Sequence, residues 1–129
     1  MDKHIGSLRR AGIAAWLRIF RLQFYPMSAI AYGAGAACAD LTHDTFDAGI
    51  CLAGYLCMFF IELCTVLVNE YFDVGTDTLN RNWSTFSGGS RILVDGLLSF
   101  SQVRKAIVGA LCLLTLSSAL LLGLSNHGS

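Results

Sequence analysis

Residues 46–77 read FDAGICLAGYLCMFFIELCTVLVNEYFDVGTD, a long apolar run that passes directly into a polar segment. The apolar part, residues 46–68, is about six helical turns long, which is enough for a helix to cross a bilayer. Glu62 interrupts this run. Because an ionisable side chain at membrane depth usually faces the protein interior or a wet cavity, we expect Glu62 to pair with another helix or to belong to a site.

The polar part places three oxygen-bearing side chains at intervals of four residues: Asn69, Asp73 and Asp77. If the helix continues through them, they share one face, one above the next. Two carboxylates and an amide suit Mg²⁺, which proteins usually bind through one or two carboxylates together with substrate phosphates. The spacing therefore predicts that Asn69, Asp73 and Asp77 are magnesium ligands.

Arg91 follows Asp77 by fourteen residues and comes directly after the turn sequence SGGS, residues 87–90. Arginine suits phosphate, and the backbone N–H groups of such a turn can approach one. The predicted catalytic residues are Asp73, Asp77 and Arg91, with Arg91 taking the negative charge that develops on a diphosphate leaving group. The predicted substrate-binding residues in this stretch are Asn69, Arg91, Ser90 and Arg81. The alternative is that acidic residues beyond a membrane helix are only solvated.

The composition is that of a helical membrane protein. The chain has 129 residues, of which 54% are hydrophobic and 14% charged, against about 25% charged residues in an ordinary soluble domain. Spans are predicted at about residues 22–39, 46–68 and 106–124. A basic interfacial segment at 1–21 precedes the first span, and a site loop at 69–105 connects the second span to the third. The predicted fold is an all-α integral membrane bundle, a single domain over residues 1–129. Candidate helix N-caps are Asp44 or Thr45 and Ser99 or Ser101.

The charge distribution predicts the orientation. All nine Lys and Arg residues lie before residue 22 or between Arg81 and Lys105, and the link between the first two predicted spans has none. Three spans place the two basic segments on the same side of the membrane, and the positive-inside rule makes that side the cytoplasm. The magnesium site would then face cytoplasmic phosphorylated substrates. The net charge is zero, and we expect no nucleic-acid partner.

Residues 69–77, NEYFDVGTD, resemble the first aspartate-rich motif of the UbiA superfamily of membrane prenyltransferases, N-(D/E)-x-x-D-x-x-x-D. Residues 87–93, SGGSRIL, resemble the following loop, in which a basic residue contacts diphosphate. Arg21 with Pro26 is similar to the arginine and proline that open the first helix of the family, and the resemblance implies that Arg21 is also a substrate-binding residue. The resemblance extends over nearly the whole chain.

The resemblance implies Mg²⁺-dependent transfer of an isoprenoid chain from a prenyl diphosphate to an aromatic acceptor, as in quinone and menaquinone biosynthesis. The loop is similar to that of members that prenylate 1,4-dihydroxy-2-naphthoate, which points to a bacterial inner membrane. The family fold has about nine spans and a second aspartate-rich motif. With three predicted spans and one motif, this chain resembles the first third of that fold. We therefore expect it to be an incomplete domain, inactive alone, whose missing C-terminal helices would complete the bundle.

Two other functions fit the residues. The chain could be a small membrane scaffold that binds other helices through its smooth glycine-alanine face at residues 31–37. It could also bind a cation or a phosphate without catalysis. Substitution of Asp73 distinguishes these functions, since a scaffold does not need its carboxylate.

Overall fold

The computed structural model describes residues 12–43, 46–80 and 90–127, and every regular element within these ranges is helical. Arg81, Asp44 and Thr45 therefore lie outside the described residues. The elements are α1 (residues 12–20), a short 3₁₀ turn (Leu22–Phe24), α2 (Tyr25–His43), α3 (Ala48–Phe72), α4 (Val74–Leu79) and α5 (Phe100–His127).

The chain divides into two compact units. The first comprises Met1–Leu22 and Cys64–Val108, and the second comprises Gln23–Leu63 and Gly109–Ser129. The predicted magnesium ligands all belong to the first unit.

The helical elements given above confirm the all-helical class. Two of these helices are long and apolar enough to cross a membrane, which supports a membrane location. They are Ala48–Phe72, with a mean hydropathy of 2.2, and Phe100–Asn126, with a mean hydropathy of 2.3. Only 22% and 11% of their most apolar windows are buried, whereas the core helix of a soluble protein would be mostly buried. The helix α2 covers most of the first predicted span, but it is not one of these two, so the three-span topology stays a prediction.

The helix ends follow local capping chemistry. Asp47 begins α3, because its Oδ1 accepts a 2.8 Å hydrogen bond from the backbone N–H of Ile50. Ser99 begins α5 in a capping box, in which the backbone N–H of Ser99 donates to Oε1 of Gln102 at 2.8 Å and the N–H of Gln102 donates back to the serine hydroxyl at 3.2 Å. The cap of α5 is thus one of the two predicted serines, whereas the cap of α3 is a different aspartate from the one expected.

In the second unit, polar side chains join α2 to α3. The hydroxyl of Ser28 donates a hydrogen bond to Glu62, which confirms that Glu62 pairs with another helix. The hydroxyl of Tyr32 donates to the carbonyl of Cys51 at 2.8 Å. That hydroxyl lies directly over Gly54, where a Cβ atom would come within 2.3 Å of it.

In the first unit, four apolar side chains from four different segments form a fully buried core. They come from α1, α3, the segment before α5, and α5 itself: Ile19, Leu67, Ile92 and Val103. Burial of each such side chain contributes about 1.5–3 kcal/mol. This core fixes the segment around residue 92 close to the end of α3, where the candidate site lies.

Candidate functional site

The three predicted magnesium ligands lie on one face, although the helix that carries them is interrupted. The helix α3 ends at Phe72, Asp73 is a turn residue, and α4 begins at Val74. The helical hydrogen bonds nevertheless pass through the interruption: the N–H of Asp73 donates to the carbonyl of Asn69, and the N–H of Asp77 donates to that of Asp73, both at 2.8 Å. The four-residue register of the side chains is therefore kept.

These side chains line a cavity of about 120 Å³. Its walls come from the end of α3, from α4 and from the residue after α1: Arg21, Val66, Asn69, Glu70, Asp73 and Asp77. The structure thus brings together Arg21 and the three predicted magnesium ligands.

Arg91 lies at the edge of this cluster and is held from two sides. Its Nη1 donates a 2.9 Å hydrogen bond to the backbone carbonyl of Asp77. Its Nε lies 3.6 Å from a carboxylate oxygen of Asp95. Arg91 and Arg21 both have left-handed backbone conformations, with φ of 56° and 51°. This conformation is uncommon for residues other than glycine, and it persists only where the surrounding structure holds it.

Glu70 is the residue whose role the sequence analysis missed. It is only 5% exposed. It accepts three hydrogen bonds: from the backbone N–H of Ser90 at 3.1 Å, from the hydroxyl of Ser90, and from the backbone N–H of Ile92 at 3.2 Å. The available signal was its position three residues after Leu67, which puts both side chains on the buried face of α3.

Ser90, which is predicted to bind substrate, belongs to this internal network. Its side chain is buried, its hydroxyl donates to Glu70, and the same hydroxyl oxygen accepts from the N–H of Ile92 at 3.3 Å. Ser90 does not line the cavity. Its hydroxyl is occupied within the protein because a buried hydroxyl without a partner would be costly.

The electrostatics of the cavity favour a cation. Partial burial raises the pKa of Asp77, and the negative charges of Glu70 and Asp73 raise it further, against the opposing effect of Arg21 and Arg91. Crowded carboxylate oxygens of this kind are hard ligands that suit Mg²⁺.

Protein side chains alone do not enclose a metal here. Within residues 12–43, 46–80 and 90–127, no three His, Cys, Asp or Glu side chains form a group able to hold a metal ion. The magnesium site expected at Asn69, Asp73 and Asp77 therefore stays a prediction.

A larger cavity of about 350 Å³ lies in the second unit, between α2 and the start of α3. Its lining is mostly apolar and includes the carboxylates of Asp40 and Asp47 but no basic side chain. The smaller cavity differs in having a basic side chain, Arg21, beside its carboxylates and is therefore the candidate site.

The described residues define an all-helical protein with two candidate membrane spans and an acidic cavity lined by Arg21, next to which Arg91 is bonded to the backbone of Asp77. Comparison with known proteins gives no matching family model, no matching curated protein and no matching solved structure. The chemistry of the site therefore has to follow from its own residues.

Proposed function

We propose that this chain binds the diphosphate group of a prenyl diphosphate through Mg²⁺ and takes part in transfer of the prenyl chain to an aromatic acceptor. The observation that carries the proposal is the cavity in which Arg21 meets the stripe of Asn69, Asp73 and Asp77 at the end of an apolar helix. The resemblance of residues 69–77 and 87–93 to UbiA prenyltransferases supports the same reaction.

The protein groups have separable roles in this reaction. Asp73 and Asp77 bind Mg²⁺, and Asn69 adds a neutral oxygen that orients the ion. Mg²⁺, when bound, neutralises charge on the diphosphate and makes it a better leaving group. Arg21 and Arg91 bind phosphate oxygens and stabilise the charge that develops as the bond to the prenyl carbon breaks.

The apolar part of the substrate would lie beside the same end of α3. The ring of Phe72 is 74% exposed, and the ring of Tyr71 packs edge-on against Phe100 with 5.5 Å between ring centroids. Aromatic faces attract a cation, and loss of diphosphate from an allylic carbon leaves one. The wet head group and the apolar tail thus find suitable surroundings on adjacent parts of the first unit.

Binding and turnover are expected to separate in this chain. Its 129 residues contain one N-x-x-x-D-x-x-x-D motif, whereas the resemblance implies a second motif for a second Mg²⁺. We therefore expect the chain by itself to bind prenyl diphosphate weakly and to show no transfer. If the chain crosses a bacterial inner membrane three times, the positive-inside rule places the loop at residues 69–105 in the cytoplasm.

The test is calorimetric binding of farnesyl diphosphate to the chain in lipid nanodiscs, with Mg²⁺ or with EDTA. We expect Mg²⁺-dependent binding that is weakened at least tenfold by Asp73→Asn and by Asp77→Asn. Asp40→Asn is the matched control, because it removes the same charge from the second unit and should leave binding unchanged. Equal binding in EDTA, or equal binding by all three variants, would overturn the proposal.

A scaffold function is the second candidate, and the exposed small residues of α2 favour it. A Cβ atom at Gly33 or Gly35 would meet nothing within 4 Å, so this face is open to close approach by another helix. If it binds a partner helix, Gly33→Leu should abolish association in the membrane, whereas Asp73→Asn should not change it. If Asp73→Asn loses diphosphate binding but still associates with the partner helix, the two functions belong to separate faces of the protein.

A further inference from the structure

The buried carboxylate of Glu70 is joined to the segment that carries Arg91. Its Oε2 accepts from the backbone N–H of Ser90 at 3.1 Å, and its Oε1 accepts from the backbone N–H of Ile92 at 3.2 Å and from the hydroxyl of Ser90. The two backbone donors belong to the residues immediately before and after Arg91. One side chain of α3 therefore holds the backbone on both sides of the arginine.

This attachment determines where the guanidinium lies. With Ser90 and Ile92 fixed, Arg91 has the left-handed backbone conformation, with φ of 56°, and its Nη1 reaches the carbonyl of Asp77 at 2.9 Å. The left-handed conformation is unfavourable for arginine, so contacts elsewhere must hold it. The three hydrogen bonds to Glu70 are contacts of this kind, and hydrogen bonds to a charged acceptor are stronger than neutral ones.

We infer that Glu70 is the positioning residue for Arg91: it holds the 90–92 backbone against α3 so that the arginine stands beside the Asp73–Asp77 stripe. Glu70 lies at the wall of the cavity, but its oxygens are directed to the 90–92 segment rather than serving as magnesium ligands. The inference rests on the proposed function for its catalytic meaning, whereas the attachment itself can be measured without any ligand.

A purely structural role for Glu70 makes a different prediction. If Glu70 only stabilised the first unit, its loss would reduce stability without a selective effect on Arg91. If it positions Arg91, a mild variant should move the arginine while the fold persists. Glu70→Gln is such a variant, because one carboxylate oxygen becomes an NH₂ group that cannot accept a bond from a backbone N–H. Ser90→Ala is milder still, since it removes the hydroxyl bond and leaves both backbone bonds.

The experiment compares the wild-type chain with Glu70→Gln, Ser90→Ala and Glu62→Gln in nanodiscs. Glu62→Gln is the matched control, because Glu62 is another carboxylate of α3 that accepts a hydrogen bond from a serine, in the second unit. The first readouts are amide hydrogen exchange of residues 90–92 and the side-chain NMR signal of Arg91, assigned with Arg91→Lys. The second readout is Mg²⁺-dependent binding of inorganic pyrophosphate and of farnesyl diphosphate.

We expect Glu70→Gln to speed exchange at Ser90 and Ile92, to shift the Arg91 signal, and to weaken diphosphate binding about tenfold, as loss of an outer-shell partner typically does. Ser90→Ala should give smaller changes of the same kind, and Glu62→Gln should give none. An unchanged Arg91 signal and unchanged exchange in Glu70→Gln would overturn the inference. If the wild-type chain binds no diphosphate, the proposed function fails, and the exchange and NMR readouts still decide the role of Glu70.

Discussion

Replacement of Gly54 by alanine tests the packing of α2 against α3 in the second unit. A Cβ atom at this position would lie 2.3 Å from the hydroxyl oxygen of Tyr32 and 3.3 Å from its Cζ. An ordinary contact is at least about 3.4 Å, so the hydroxyl would have to move by about 1 Å. The tyrosine is held by its 2.8 Å hydrogen bond to the carbonyl of Cys51 and by its edge contact with Tyr55, with ring centroids 5.7 Å apart.

The size of the effect follows from these contacts. Displacement of Tyr32 loses a hydrogen bond worth about 1 kcal/mol and part of an aromatic contact worth about 0.5–1.5 kcal/mol. If Tyr32 does not move, overpacking costs about 1–3 kcal/mol instead. We expect Gly54→Ala to lower the free energy of unfolding by about 1 kcal/mol, after allowance for the better helix propensity of alanine.

The assay is equilibrium unfolding in mixed micelles with increasing dodecyl sulfate, followed by circular dichroism. Gly33→Ala is the control, because its Cβ atom would meet nothing within 4 Å, and it should be neutral or slightly stabilising. The double variant Tyr32→Phe with Gly54→Ala should be less destabilised than the sum of its single variants, since phenylalanine lacks the clashing oxygen. Equal stability of Gly54→Ala and Gly33→Ala, or additive effects in the double variant, would refute the reasoning.

Three further predictions concern the first unit. Burial and the charges of Glu70 and Asp73 raise the pKa of Asp77. The stability that Asp77 contributes is therefore full below the ordinary pKa of an aspartate and is lost as the pH rises through the raised pKa. The free energy of unfolding, measured against pH, should show this loss in the wild-type chain but not in Asp77→Asn. Mg²⁺ needs the ionised carboxylate, so calorimetric affinity should change in the opposite direction, rising with pH through the same range, and an affinity independent of pH would contradict the assignment. Arg91→Lys should weaken farnesyl diphosphate binding about tenfold or more, because a lysine cannot contact the carbonyl of Asp77 and a phosphate in one planar arrangement; equal affinity would remove Arg91 from the site. Gly96→Ala should destabilise the first unit by about 1 kcal/mol, because Gly96 has a φ of +67°. The turn is closed by hydrogen bonds from the N–H of Gly96 to the carbonyl of Leu93 and from the N–H of Leu97 to the carbonyl of Ile92. Thermal unfolding measures the effect, and Gly109→Ala is the control, because Gly109 lies in a helix with open space around it.

Local patterns were sufficient for several features of the fold. Long apolar runs predicted helices, and α3 and α5 carry the second and third predicted spans. Spacing by four predicted a shared face for Asn69, Asp73 and Asp77, and the helical register keeps that face through the interruption at Asp73. A serine three residues before a glutamine is a local signal for a helix start, and Ser99 begins α5 in this way.

The ends of the helices did not follow from hydropathy. The helix α5 begins at Phe100 and α3 extends to Phe72, so both helices are longer than the apolar runs that define the predicted spans. Hydropathy marks the part of a helix suited to lipid, whereas hydrogen bonds and caps set its ends. The cap of α3 is Asp47, which lies closer to the helix than the two predicted caps, Asp44 and Thr45.

The side chains available at the site, and the helical face on which they lie, follow from residue types and their spacing, because residues four apart on a helix lie side by side. The role of each side chain depends on the tertiary fold. Glu70 and Ser90 are separated by twenty residues and are joined by hydrogen bonds in the folded chain. These bonds make Glu70 an internal acceptor, and Ser90 lies outside the lining of the cavity. No spacing rule relates two such residues, since their contact exists only once Ile19, Leu67, Ile92 and Val103 are buried.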